Sequence, residues 1–142
     1  MIEEIPGSRE IANGYDDVFV FVKEYLSKVY SRQVTDISDT VWCPEWWRHT
    51  EAVIRLDAVW QTWEHFRLQG GPGISVWFLN HADRHMAMLF DPRGPFKYCS
   101  VRNGHKEMLD PLPQDPPQGP DRAMFTNPPP NGPWQKTMEP RA

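Results

Sequence analysis

Two cysteines and five histidines are the residues of this chain whose chemistry goes beyond packing. His81 and His85 stand four apart, so on a helix they share a face and can grip one metal ion. They are not followed in the zinc-protease order His-Glu-x-x-His, which leaves that mechanism without its general base. Cys99 and His105 are six apart across a loop, and Cys43 precedes a helix. Cys43, Cys99, His105 and one of His81 or His85 therefore form a candidate tetrahedral Cys2His2 set, of the kind that holds structural zinc. The spacing is not that of a zinc finger or ribbon. The competing reading is that both cysteines pack as small hydrophobes and the histidines sit at the surface or cap helices.

Catalysis finds less support. Gly70-Gly71-Pro72-Gly73 has no Lys-Ser/Thr after it and so is no phosphate loop. Cys43 has His49 nearby as an activating base, but nothing supplies a third orienting group. Ser75 and Ser100 lie in no nucleophile elbow. The expectation is a protein that is not an enzyme, with no catalytic or cofactor-binding residues. Structural zinc is the one cofactor the residues allow.

Binding surfaces are the alternative. Arg84, Arg93, Lys97, Arg102 and Lys106 make one segment locally basic, with Phe96 and Tyr98 interleaved, a pattern able to meet phosphate and stack on bases. Asp83, Asp91, Glu107 and Asp110 dilute it, and a net charge of −4 argues against general affinity for nucleic acid or anionic membrane. Nucleic acid is thus not the favoured partner. Six of the seven tryptophans, Trp42, Trp46, Trp47, Trp60, Trp63 and Trp77, fall between residues 42 and 77. Most should be core, while Trp47 and Trp77 are the candidates for exposed anchors on a protein partner.

The elements that must position these residues are helical. In Asp16 to Ser31, Val18-Phe19-Val20-Phe21-Val22 alone would suit a strand. The pattern continues through Tyr25, Leu26, Val29 and Tyr30 at a period near 3.6, behind Asn13, Asp16 and Asp17 as capping and first-turn acidic groups, and a helix is expected. The main helix is expected from Glu51 to Leu68 after a Thr50 cap, with Ala52, Val53, Leu56, Val59, Trp60, Trp63 and Phe66 on one face and a Glu51–Arg55 pair on the other. Gln69 to Gly73 should stop it and turn the chain. Residues 74–90 suit two short helices, the second capped by Asp83, with a hairpin across His81 to Arg84 as the alternative. Asp91-Pro92-Arg93-Gly94-Pro95 closes with a turn.

Ten of the fifteen prolines lie after Leu109. Proline fixes φ and lacks the amide hydrogen, so this stretch is expected to form neither helix nor sheet. The fold class that follows is mainly α: a small single-domain helical bundle with a Trp-rich core and irregular loops. Residues 1–13 would be a flexible N-terminus, 14–109 the helical domain and 110–142 a flexible Pro-rich tail. The start of the chain has no basic and apolar leader, and no apolar run approaches a bilayer span, so a cytoplasmic protein is expected.

Trp42-Cys43-Pro44-Glu45-Trp46-Trp47, His81-Ala82-Asp83-x-His85-Met86 and Asp91-Pro92-x-Gly94-Pro95-Phe96 occur in this order around the Trp-rich helix. This string, across residues 15–110, resembles a family of actinobacterial proteins of unknown function encoded by chromosomes, plasmids and phages. The resemblance implies a bacterial host cell and an accessory role for a mobile element, with a host or mobile-element protein as partner. It implies no activity and no site residues.

Overall fold

The computed structural model describes residues 11–35 and 39–125. By contact density the chain divides into two units, Met1–Leu109 and Asp110–Ala142, and the candidate site lies wholly in the first.

That first unit opens with α1 (Val18–Phe21), whose N-cap Asp17 accepts a hydrogen bond from the Val20 amide at 2.9 Å. A π-helical stretch, Val22–Leu26, joins it to α2 (Ser27–Val29). The wider turn directs Phe21, Val22 and Leu26 together into the core. The long helix α3 (Thr50–Phe66) follows a single 3-10 turn at Trp46–Arg48. Its N-cap is His49, not the expected Thr50, and no side chain caps it. Ala52, Leu56 and Val59 are fully buried on its inner face, and Glu51 pairs with Arg55 at 2.8 Å on the outer one.

Residues 74–90 are helical, as expected in preference to a hairpin, but they run as one continuous stretch rather than as two separate helices. A 3-10 turn (Arg67–Gln69) leads into α4 (Gly70–Trp77), a second π-helical stretch (Phe78–Ala82) and α5 (Asp83–Phe90) without a break. No hairpin forms, and Asp83 lies inside the helical run, where its carboxylate accepts from the Tyr30 hydroxyl at 2.6 Å. The turn falls within the expected Gln69 to Gly73 stretch, at Gly70 with φ of +67°. Gly73 serves close packing instead: a Cβ there would lie 2.4 Å from the Phe66 carbonyl oxygen.

An aromatic cluster joins these helices. Trp63 of α3 lies within 5.0–5.5 Å, ring to ring, of Tyr15, Phe21 and Tyr25. Trp77 is wholly buried and donates its indole N–H to the Val59 carbonyl at 3.0 Å. Glu64 ties the start of the described chain to α3. Its carboxylate accepts from the Gly14 and Tyr15 amides, the Trp60 indole and the Arg67 guanidinium at 2.7–3.0 Å.

In the second unit, residues 110–118 form no regular structure and are exposed. The proline-rich stretch does, however, contain one helical turn, α6 (Gly119–Ala123). Pro120 sits in its first turn, the place where a missing amide hydrogen costs nothing. The expectations for residues 1–10 and 126–142 fall outside the described residues.

Candidate metal centre

Two irregular segments build the site. The first, Cys43 to His49, is tethered just upstream to the end of α5, where the Val41 amide donates to the Phe90 carbonyl at 3.0 Å. It is pinned beneath by Trp46, which is 6% exposed, and ends where α3 begins. The second starts from the turn after α5, where the Gly94 amide bonds the Asp91 carbonyl at 2.8 Å. Gly94 is required there, because a Cβ would lie 2.4 Å from the Met88 carbonyl oxygen. Phe96 then anchors the chain in the core, against Trp42 and the His49 ring. Beyond it Ser100 and Gly104 exchange two backbone hydrogen bonds at 2.8 and 3.2 Å, closing a tight loop with Gly104 at φ +78°. That loop returns His105 to the side of Cys99.

Cys43, His49, Cys99 and His105 therefore converge, with one ligand atom from each, all within 4.8 Å of one another. Cys43 Sγ lies 3.4 Å from His105 Nδ1, Cys99 Sγ lies 3.4 Å from His49 Nε2, and Cys99 Sγ lies 3.9 Å from His105 Nδ1. In a tetrahedral zinc site with bonds of about 2.3 Å to sulfur and 2.0 Å to nitrogen, such sulfur–nitrogen edges measure about 3.5 Å. The cluster has the size of one such coordination sphere and can hold a metal ion.

Its surroundings suit thiolate and imidazole ligands. The Lys106 amide points at Cys99 Sγ from 3.3 Å, and the Glu45 amide donates to the Cys43 sulfur. His105 turns its other nitrogen, Nε2, to the Glu107 carboxylate at 3.1 Å, and Arg48 holds Glu107 at 3.2 Å. A carboxylate on the far nitrogen fixes the tautomer that leaves Nδ1 free to bind metal. Burial pushes the Cys43 thiol up to about 12, against the Glu45 amide, which favours the thiolate. Burial also lowers the His49 pKa, helped by the neighbouring His105, so this ring is held neutral as a ligand must be.

The structure brings three of the sequence-derived candidates, Cys43, Cys99 and His105, to one point. The fourth member is His49, not His81 or His85. The ring of His81 packs on Phe66 at 5.3 Å, while His85 Nδ1 meets the Arg55 guanidinium at 3.1 Å. A signal for His49 was present: Cys43-x5-His49 repeats the spacing of Cys99-x5-His105. Among the proposed surface residues, Trp77 and Phe96 are both 0% exposed and cannot be anchors, because each fills a core position. Trp47 is 47% exposed. Arg93 pairs with its neighbour Asp91, Lys97 lies over the Tyr98 ring, and Arg102 sits in the exposed loop before Gly104. With Phe96 buried, the basic segment loses half of its stacking surface.

The family described as a domain of unknown function (DUF4913) matches residues 15–118, a span that includes all four converging residues. The chain belongs to the DUF4913 family. No curated protein and no solved structure matches it. Among the described residues, no helix of this DUF4913 domain is long and apolar enough to cross a membrane.

Proposed function

We propose that this chain is a non-catalytic interaction module whose two irregular segments are locked onto the helical core by one structural zinc ion. The observation that carries the reading is the convergence of two sulfurs and two imidazole nitrogens within 4.8 Å of one another, with sulfur–nitrogen separations of 3.4, 3.4 and 3.9 Å. Four protein ligands would fill the coordination sphere of zinc and leave no open position for water or substrate, which distinguishes a structural site from a catalytic one. The soft sulfur pair favours zinc over magnesium or calcium, which prefer oxygen. Reduced cysteine ligands also fit a cytoplasmic setting. The resemblance of the motif string to that of actinobacterial plasmid and phage proteins would support an accessory role for a mobile element, with a host or element protein as partner.

Elemental analysis of full-length protein purified without chelators tests the metal. About one zinc per chain is expected. Cys43→Ser and Cys99→Ser should each abolish it, whereas His81→Ala and His85→Ala should retain it. Protein that is folded, stable and free of metal when supplied with zinc would overturn the proposal.

A further inference from the structure

Beside the metal centre, and on the same wall, runs an open apolar groove of about 690 Å³. Aromatic rings dominate its lining: Phe19, Tyr30, Trp42, Trp46, Trp47 and Phe90. Phe19 and Trp47 are about half exposed although their rings lie together, 6.2 Å apart, and Trp47 stands edge-on to Trp46 at 5.9 Å. Two cations complete the lining, Lys23 and Arg32, with no carboxylate among the described residues there. Neither cation makes an ion pair with a described residue, and the Arg32 guanidinium lies 5.5 Å from the centre of the Tyr30 ring. In a chain of net charge −4, a rim of one positive sign is a local feature.

We propose that this groove binds an extended proline-rich peptide carrying acidic residues, and that the metal centre sets the shape of its wall. Edge-to-face aromatic rings form slots for pyrrolidine rings, and a polyproline II peptide brings little conformational entropy to lose on binding. Adaptable grooves that re-pack around many partners are rich in methionine, whereas here Met86 is the one methionine beside Val22, Leu26 and Val34, and the rigid aromatic rings outnumber these aliphatic side chains. Lys23 and Arg32 select acidic flanks. The π-helical stretch Val22–Leu26 forms part of the lining, and such wide turns recur at functional sites. Coupling to the metal follows from the chain itself: Pro44, Trp46 and Trp47 all lie between the ligands Cys43 and His49. This last part rests on the metal reading above.

The test uses full-length protein of measured zinc content and two synthetic peptides of proline and leucine, one flanked by aspartates and its twin by lysines. Tryptophan fluorescence should report saturable binding of the aspartate peptide, with the lysine twin about tenfold weaker at low salt. Trp47→Ala should weaken binding about tenfold or more while zinc content and circular dichroism stay unchanged. Chelation should weaken it by a similar factor or more, with the helical signal of α3 to α5 monitored in the same sample. Zinc-loaded protein that binds neither peptide, or that buries the groove by self-association in sedimentation, overturns the groove proposal and leaves the metal reading standing. Equal affinity before and after chelation overturns the coupling. Protein that takes up no zinc when supplied with it, yet binds the aspartate peptide, overturns the metal reading and the coupling, and supports the groove.

Discussion

Lowering the pH should strip the metal well before it unfolds the helices, and the slope can be worked from the site. Metal binding requires thiolates and neutral imidazoles. With the Cys43 thiol pushed up to about 12 by burial, that group carries its proton throughout the range from about pH 6 to 8 in the metal-free protein. Each metal bound must release that proton, which alone gives a tenfold change in affinity per pH unit. A second thiolate ligand sets the upper limit at about a hundredfold per pH unit. From pH 8 to 6 the affinity should therefore fall by about 10² to 10⁴, or about 2.7 to 5.4 kcal/mol. His49 adds little to this slope, because burial, helped by the neighbouring His105, lowers its pKa from 6.5. The sign is fixed: the metal-free form binds more protons, so acid favours it. Competition against a chromophoric chelator across this pH range measures the slope. Calorimetry in two buffers of different ionisation enthalpy counts the protons, with one to two expected per zinc. An affinity independent of pH, or fewer than about one proton released per zinc, would refute ligation by the buried thiol.

Two further perturbations probe what supports the site and the fold. Glu107→Gln removes the carboxylate from His105 Nε2, and zinc affinity should fall about tenfold, the low end for such partners because Glu107 is exposed; chelator competition with unchanged circular dichroism is the check. Glu64→Gln should destabilise the domain by about 2–4 kcal/mol at neutral pH, since four donors converge on its largely buried carboxylate. Burial opposes that charge, but the bonds from Gly14, Tyr15, Trp60 and Arg67 outweigh it and hold the pKa below 4.5. A depressed folded pKa stabilises above the unfolded value and is lost as the pH falls through the folded one. Urea unfolding of wild type and variant should thus converge below pH 4.5, and a gap that persists in acid would contradict the assignment.

How far the sequence could be read depended on whether a residue acts through a repeat or through a long-range meeting. The stripe on α3 is periodic, so Ala52, Leu56 and Val59 were legible as core. Gly70 to Gly73 reads as a stop because glycine usually marks a turn, yet Gly73 is there for the close approach of α4 to the end of α3, a tertiary fact with no local signature. Trp77 and Phe96 could not be sorted from Trp47 by residue type, since burial is decided by which face the neighbouring elements cover. The metal centre was half legible for the same reason. Cys99 and His105 meet through a short loop, but His49 reaches Cys99 across 50 residues of chain. What links them is the pairing of two Cys-x5-His segments, each too irregular to hold itself: one has a single 3-10 turn, the other a single two-bond bridge. Helical periodicity says nothing about such segments. Segments without repetitive structure hold a fixed geometry through side-chain anchors, here Trp46 and Phe96 beneath and the sulfur and imidazole groups above. A cation at the centre would bind both segments in one step, and would give two otherwise weakly held loops the rigidity that a binding wall requires.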